Sequence, residues 1–151
     1  MRTILLTLAA AAAFGTLAGA ASTRTVPQPA EATIADCRAT DGDTIRCGDE
    51  RIRLLGIDAP ELPGHCRQGR DCAPGDPYAS TASLTAAMSA DLRIERVGED
   101  RYHRTLAAVS GPRGDLSCWQ IGNGQARYMA KWDDGRTIAA RCPAVVGKAE
   151  G

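Results

Sequence analysis

Two aspartates, a glutamate and two arginines stand at spacings that suit phosphate chemistry. Asp43 leaves a tight Asp-Gly turn in Asp41-Gly42-Asp43-Thr44, and Arg53 lies inside the run Arg51-Ile52-Arg53-Leu54-Leu55-Gly56-Ile57, which Asp58 and Glu61 follow. A strand this apolar is half buried or better, and a charge inside it needs a route to solvent or an anionic partner. If the strand after the turn neighbours the strand ending at Ile57, two hard oxygen donors and a guanidinium fork meet, which suits a metal ion and a phosphate. Plainer readings exist for each residue. Asp43 stabilises its turn, Asp58 caps the Pro60 corner, Arg53 pairs with either aspartate, and Glu61 is a solvated surface carboxylate.

Hydrolysis of a phosphodiester builds negative charge on phosphorus, so it needs fixed cations near the phosphoryl oxygens and a base for water. The chain holds candidates for every part. Asp43, Asp58 and the backbone carbonyl of Ala59, with waters, could complete a calcium shell that leaves room for a phosphate oxygen. Glu61 offers a carboxylate able to orient or deprotonate water. Arg53 and Arg104 offer forks that match two phosphate oxygens. In Asp100-Arg101-Tyr102-His103-Arg104, Tyr102 could stack on a base or sugar and Arg101 could reach a terminal phosphate. Trp132 and Tyr128 are further aromatics that read either as substrate contacts or as core.

The motifs Asp41-Gly42-Asp43-Thr44, Arg53-Leu54, Ile57-Asp58-Ala59-Pro60-Glu61 and Asp100-Arg101-Tyr102-His103-Arg104 occur in an order that resembles the staphylococcal nuclease-like (thermonuclease) family, from about Ala32 to Trp132. The resemblance implies a calcium-dependent nuclease acting on DNA, RNA or both, with broad sugar tolerance and 3′-phosphorylated products. It also implies Asp43, Asp58 and the Ala59 carbonyl as calcium ligands, Glu61 as general base, and Arg53 with Arg104 as the phosphate clamp. Single strands are the expected substrate and a monomer the expected state. His103 departs from the pattern, standing where the family usually places glycine. It either adopts a left-handed backbone, which histidine visits more readily than most residues, or supplies a proton to the leaving oxygen. The family's longer terminal helix is also cut short or replaced.

Those residues need strands to hold them. Candidates run over Thr33 to Thr40, Thr44 to Cys47 and Arg51 to Ile57, joined by short turns into a meander. A proline- and glycine-rich loop, Leu62 to Gly75, leads to a helix that starts at Asp76-Pro77 and reaches about Ala90, with Leu84 and Met88 on its inner face. Strands over Leu92 to Val97 and Thr105 to Val109 follow, then a short helix or strand-to-helix junction at Leu116 to Ile121. A last short helix carries Ile138 and Cys142. Periodicity by itself predicts a mostly β domain with helices (α+β); the family resemblance implies a five-stranded OB-fold Greek-key barrel with two to three helices.

The N-terminus reads as an export signal: Arg2, an apolar run, and Ala18-Gly19-Ala20 as a cleavage site, which places the protein in the periplasm or outside the cell. A membrane anchor is the alternative, but the run is shorter than a bilayer span. The expected organisation is a signal peptide at 1–20, a disordered lead-in at 21–32, a nuclease-like domain at 33–142 and a flexible tail at 143–151. Export turns six cysteines into a disulfide framework. Cys37 and Cys47 flank Gly42 symmetrically and would face each other in a hairpin, Cys66 and Cys72 close a short loop, and Cys118 and Cys142 remain as the third pair. A zinc site with His65 is the competing use, though no C-x2-C knuckle is present.

Basic and acidic residues balance at 18 each, and removal of Arg2 with the signal leaves 17 basic against 18 acidic residues. No global field draws this chain onto nucleic acid, which disfavours a packaging protein and suits an enzyme that concentrates positive charge at one place. A different class remains open: a non-catalytic OB-fold module binding single-stranded nucleic acid or another anionic polymer, which would have no need for Glu61 beside two aspartates.

Overall fold

A computed structural model describes residues 31–149. The expected signal peptide at 1–20 and most of the expected lead-in lie outside these residues. The elements in chain order are β1 (Glu31–Ala35), β2 (Cys37–Ala39), β3 (Thr44–Cys47), β4 (Glu50–Leu54), β5 (Ile57–Asp58), α1 (Pro77–Ala87), β6 (Asp91–Glu99), β7 (Thr105–Gly111), β8 (Gly114–Asp115), α2 (Leu116–Gly122) and β9 (Arg127–Tyr128). Two 3-10 turns, Ala130–Trp132 and Asp134–Arg136, then lead to α3 (Thr137–Arg141) and α4 (Pro143–Ala149).

The strands of the main sheet are ordered β1-β6-β7-β4-β3-β2, with β8 beside β7, and β5 pairs with β9 separately. The meander β2-β3-β4 is antiparallel, and β4 then runs parallel to β7. The two ends of this path, β1 and β2, are consecutive in the chain, separated only by Asp36 at φ 54°. One interrupted strand therefore pairs with β6 on one side and β3 on the other, which makes the sheet curl back on itself. With β1 and β2 counted as one, the strands β1/β2, β3, β4, β6 and β7 form the five-stranded OB-type arrangement within an α+β domain.

Local chemistry explains most boundaries. In β6, Leu92 and Ile94 are fully buried while Asp91 and Arg93 face out, the alternation of a strand with one face on a core. Asp76 caps α1, accepting from the Tyr78 amide at 2.9 Å, and Pro77 occupies its first turn. The helix ends at Ala87, short of Ala90, because the chain must extend again by Asp91 to pair with β1 and β7. Asp115 caps α2 through the amides of Ser117 and Cys118. The core collects Ile45, Ile52, Leu54, Leu84, Leu92, Ile94, Val109, Leu116 and Ile138 from strands and helices alike.

Three expectations change. Glu31 and Ala32, assigned to the lead-in, are already in β1, paired with Glu95 and Ile94. Residues 143–149, expected as a tail, form α4, because Pro143 suits a first turn and Val146 is buried at 2% exposure. There are accordingly four α-helices among the described residues instead of two or three, the C-terminal pair being divided at Cys142.

All six cysteines pair as the spacing predicts: Cys37 with Cys47, Cys66 with Cys72 and Cys118 with Cys142. Cys37 and Cys47 are direct register partners in β2 and β3. The third bond ties α2 to the junction of α3 and α4. No described helix is long and apolar enough to cross a membrane.

Candidate active site

Asp43 is positioned by a turn that tolerates only glycine at its centre. The Asp43 amide donates to Asp41 Oδ1 at 3.1 Å, and the Thr40 amide closes the turn on the Thr44 carbonyl at 2.9 Å. A Cβ on Gly42 would stand 1.9 Å from Ser80 Oγ and 2.7 Å from the Ala59 Cβ. Gln120, fully buried, donates from Nε2 to the carbonyls of Gly42 at 2.7 Å and Ser80 at 3.0 Å, so both α1 and α2 brace the turn.

From that turn Asp43 reaches the segment after β5. Its Oδ2 accepts from the Ala59 amide at 2.8 Å, and its Oδ1 accepts from the Thr44 hydroxyl at 3.2 Å. The β3–β4 register sets Thr44 opposite Arg53 and thus brings Arg53 into a direct ion pair with Asp43. Arg53 Nη2 donates to the Ile57 carbonyl at 2.9 Å and lies 3.8 Å from Asp58 Oδ1. One guanidinium therefore bridges the two aspartates. Burial pushes the Arg53 pKa down to about 10, Arg104 and Arg70 add to that, and Asp41 and Asp58 oppose it. Arg53 stays a cation at neutral pH.

Asp58 is completely buried and carries three guanidinium contacts. Besides Arg53, Arg70 Nη2 lies 2.5 Å from its Oδ1, and Arg127 donates from Nε and Nη2 to Oδ2 at 3.2 and 3.0 Å. Arg127 is the β9 partner of Asp58. Glu61, just past Pro60, accepts at Oε1 from Arg70 Nη1 at 2.5 Å.

Arg104 arrives through a turn built by Asp100. Its amide donates to Asp100 Oδ1 at 3.0 Å, and its Nε and Nη2 pair with Oδ2 at 2.8 and 2.7 Å. Burial acts to raise the Asp100 pKa, but hydrogen bonds from Arg104 and Tyr102 hold it below the ordinary value. His103 has φ 56°, the left-handed conformation that glycine would otherwise supply. Its ring is highly exposed and bonds Glu99 Oε1 at 2.8 Å, and His103 is not among the residues that line the groove, although Glu99 is. The backbone role of His103 is the one the geometry supports.

Asp43, Arg53, Glu61, Arg104, Tyr102 and Trp132 line a single open groove of about 1110 Å³, with Arg101 on its wall and Asp58 and Ala59 buried beneath. The tertiary structure thus brings Asp43, Arg53, Glu61, Arg101, Arg104, Tyr102 and Trp132 to one groove, whereas Tyr128 and His103 are not among its lining residues. Trp132 lies under Arg53 at 5.6 Å and Arg70 at 5.8 Å, whereas the Tyr128 hydroxyl donates to Asp133 and helps hold the start of α3. Tyr102 is 41% exposed, and Arg67, Arg101 and Arg104 all approach its ring. Desolvation pushes its phenol up, but hydrogen bonding from Arg101 and the charges of Arg101 and Arg67 bring it below the ordinary value.

Sequence reasoning misses Arg67, Arg70 and Arg127. The first two sit in the loop closed by Cys66 and Cys72 directly after Glu61, a visible signal; Arg127 has none, since only strand pairing sets it opposite Asp58. For a hard cation the donor chemistry fits: Asp43 lines the groove and Asp58 is buried beside it, with Arg53 in contact with both carboxylates. No group of three or more His, Cys, Asp or Glu is gathered at one place among the described residues.

A family model described as staphylococcal nuclease homologue matches residues 51–149. Among curated proteins, a succinoglycan biosynthesis protein, ExoI, of Rhizobium meliloti is 33% identical over 123 residues, covering 72% of this chain and 64% of that protein. A thermonuclease of Staphylococcus intermedius is 37% identical over 48% of this chain and 45% of its own length. An uncharacterized endonuclease of Haemophilus influenzae is 32% identical over 59% of this chain and 48% of its own. The chain spans less than two thirds of each of these relatives.

Proposed function

The chain belongs to the family of staphylococcal nuclease homologues, and from that premise we propose that it is a nuclease hydrolysing phosphodiester bonds of DNA or RNA with calcium. The observation that carries this reading is the meeting of Asp43, Arg53, Glu61 and Arg104 at one groove, with the buried Asp58 beside Arg53. A binding module has no use for that set. Asp43, Asp58 and the Ala59 carbonyl would hold calcium, which when bound supplies positive charge to a phosphoryl oxygen.

The remaining chemistry belongs to the protein's own side chains. Arg53 and Arg104 take the phosphate oxygens, and their charge stabilises the pentavalent transition state as negative charge grows on it. Arg53 leaves the aspartates for this task with little rearrangement, since it already stands between them. Glu61 holds Arg70 through Oε1, leaving Oε2 to take the proton from the attacking water. The water oxygen bonds to phosphorus as the bond to the leaving 5′ oxygen breaks, which leaves the phosphate on the 3′ side. Exposed Tyr102 and Trp132 give unstacked bases a surface, which favours single strands. Three disulfides suit an oxidising compartment and support a secreted or periplasmic protein freed of residues 1–20.

The test is release of acid-soluble nucleotides from single-stranded DNA by the oxidised protein, with calcium, with a chelator, and for Glu61→Gln. Release that needs calcium and falls by roughly 100-fold or more in the variant supports the reading. No release from folded protein refutes it and favours the OB-fold binding module.

A further inference from the structure

The segment from Cys66 to Cys72 reaches three walls of the groove within seven residues. It is closed by its disulfide and by an internal turn in which the Arg70 amide donates to the Arg67 carbonyl at 3.0 Å. Arg67 lies 5.4 Å from the centre of the Tyr102 ring, Arg70 grips Asp58 and Glu61, and Asp71 Oδ2 receives Arg127 Nη1 at 2.8 Å. Arg70 and Asp71 thus lock the loop onto the site's own residues. Arg67 is left pointing at the aromatic wall.

Arg67 and Arg101 have no carboxylate within ion-pair distance among the described residues, whereas the neighbouring Arg104 is paired with Asp100. Three guanidiniums from two separate loops therefore surround one exposed ring, and only one is neutralised. Like charges gathered in this way repel, and what offsets them among the described residues is Tyr102 itself, through its ring and through the hydroxyl to which Arg101 Nη2 donates at 2.7 Å. An anion with an aromatic or sugar face beside it satisfies both the charge and the ring.

We propose that the disulfide-closed segment 66–72 is a strand-holding element, in which Arg67 binds the phosphate next to the reacting one while the adjoining nucleotide rests on Tyr102. This rests on the nuclease reading above. Arg104, the clamp on the reacting phosphate, stands 5.6 Å from the centre of the same ring, so Arg67 and Arg104 share one aromatic platform. The element contributes to a polymer and not to a diester too small to reach Tyr102.

The experiment uses the full-length oxidised protein, wild type and Arg67→Ala, with Arg67→Gln as a second variant and a thermal melt for each. Binding of fluorescein-labelled oligothymidylate is followed by anisotropy in chelator over a series of salt concentrations. Hydrolysis is followed with the same oligonucleotide and with bis(p-nitrophenyl) phosphate in calcium. The variant is expected to weaken oligonucleotide binding roughly tenfold. The slope of log K against log salt should fall by about 0.7, one single-strand phosphate contact. The ratio of kcat/KM for oligonucleotide over small diester should fall by a similar factor. An unchanged slope and Kd, or equal losses on both substrates, overturns the proposal, as does a wild type that fails to bind the oligonucleotide. A wild type that binds but cleaves neither substrate refutes the nuclease reading alone, and the salt slope still decides the role of Arg67.

Discussion

Asp58 and Arg127 face each other across the short pairing of β5 with β9, and Arg127 donates both Nε and Nη2 to Asp58 Oδ2. Since Asp58 is wholly buried, each cation around it offsets part of the cost of removing its charge from water. Arg127→Ala leaves Arg70 and Arg53 in place, so the expected loss is about 1–3 kcal/mol. Urea denaturation measures it, and Arg127→Lys should recover a part. An unchanged midpoint would mean that the remaining two arginines already satisfy the carboxylate.

Gly42→Ala is expected to cost about 1–3 kcal/mol through overpacking against Ser80 and Ala59. Nuclease activity should fall as well, because the same shift moves Asp43 off the Ala59 amide. Thermal denaturation and the DNA assay read the two effects separately. Ser80→Gly opens the space that the new methyl needs, and in the double variant it should recover part of the loss.

His103→Gly tests which of two roles the histidine has. Relief of the left-handed backbone is expected to raise stability by up to about 1 kcal/mol, and His103→Val to lower it by about 1–2 kcal/mol. The exposed pair with Glu99 adds little to either balance. A large loss of kcat in the glycine variant, with its melting temperature intact, would restore the histidine as a proton donor.

Acid stability should depend on Glu50. Hydrogen bonding from Arg96 lowers its pKa below 4.5 against an opposing burial effect, with Thr105 adding to the shift. Its contribution is therefore complete above pH 4.5 and is lost as the pH falls through the lower folded value. Because Arg96 is well exposed, the amount is about 1 kcal/mol or less. Glu50→Gln should lower the melting temperature near neutral pH and make no difference at a pH below the folded value.

The chemistry was legible because its residue types have few other uses in such company. Arg53 within an apolar strand, Asp-Gly-Asp at a turn and Asp58 before Pro60 all demand partners, and Arg53 meets both Asp43 and Asp58, whereas Glu61 pairs with Arg70. The hairpin geometry about Gly42 likewise placed Cys37 opposite Cys47. Short-range rules of capping, alternation and turn chemistry act within a few residues, so the positions of β3, β4, β6, β7, α1 and α2 followed from them to within a few residues.

What those rules do not reach is which distant segments meet. The break at Asp36 lets one strand serve two sheet edges, the parallel pairing of β4 with β7 carries Arg104 towards Arg53, and β9 lays Arg127 against Asp58. The loop that delivers Arg67 and Arg70 is visible in the sequence as a pair of close cysteines, but its landing points are not. α4 forms because Val146 finds a buried place after Cys142 is tied down. The sequence by itself determined the candidate site residues and most of the local elements that carry them. Only the tertiary structure decided how many arginines share each carboxylate, because that depends on strand pairing and loop anchoring between residues up to 69 positions apart.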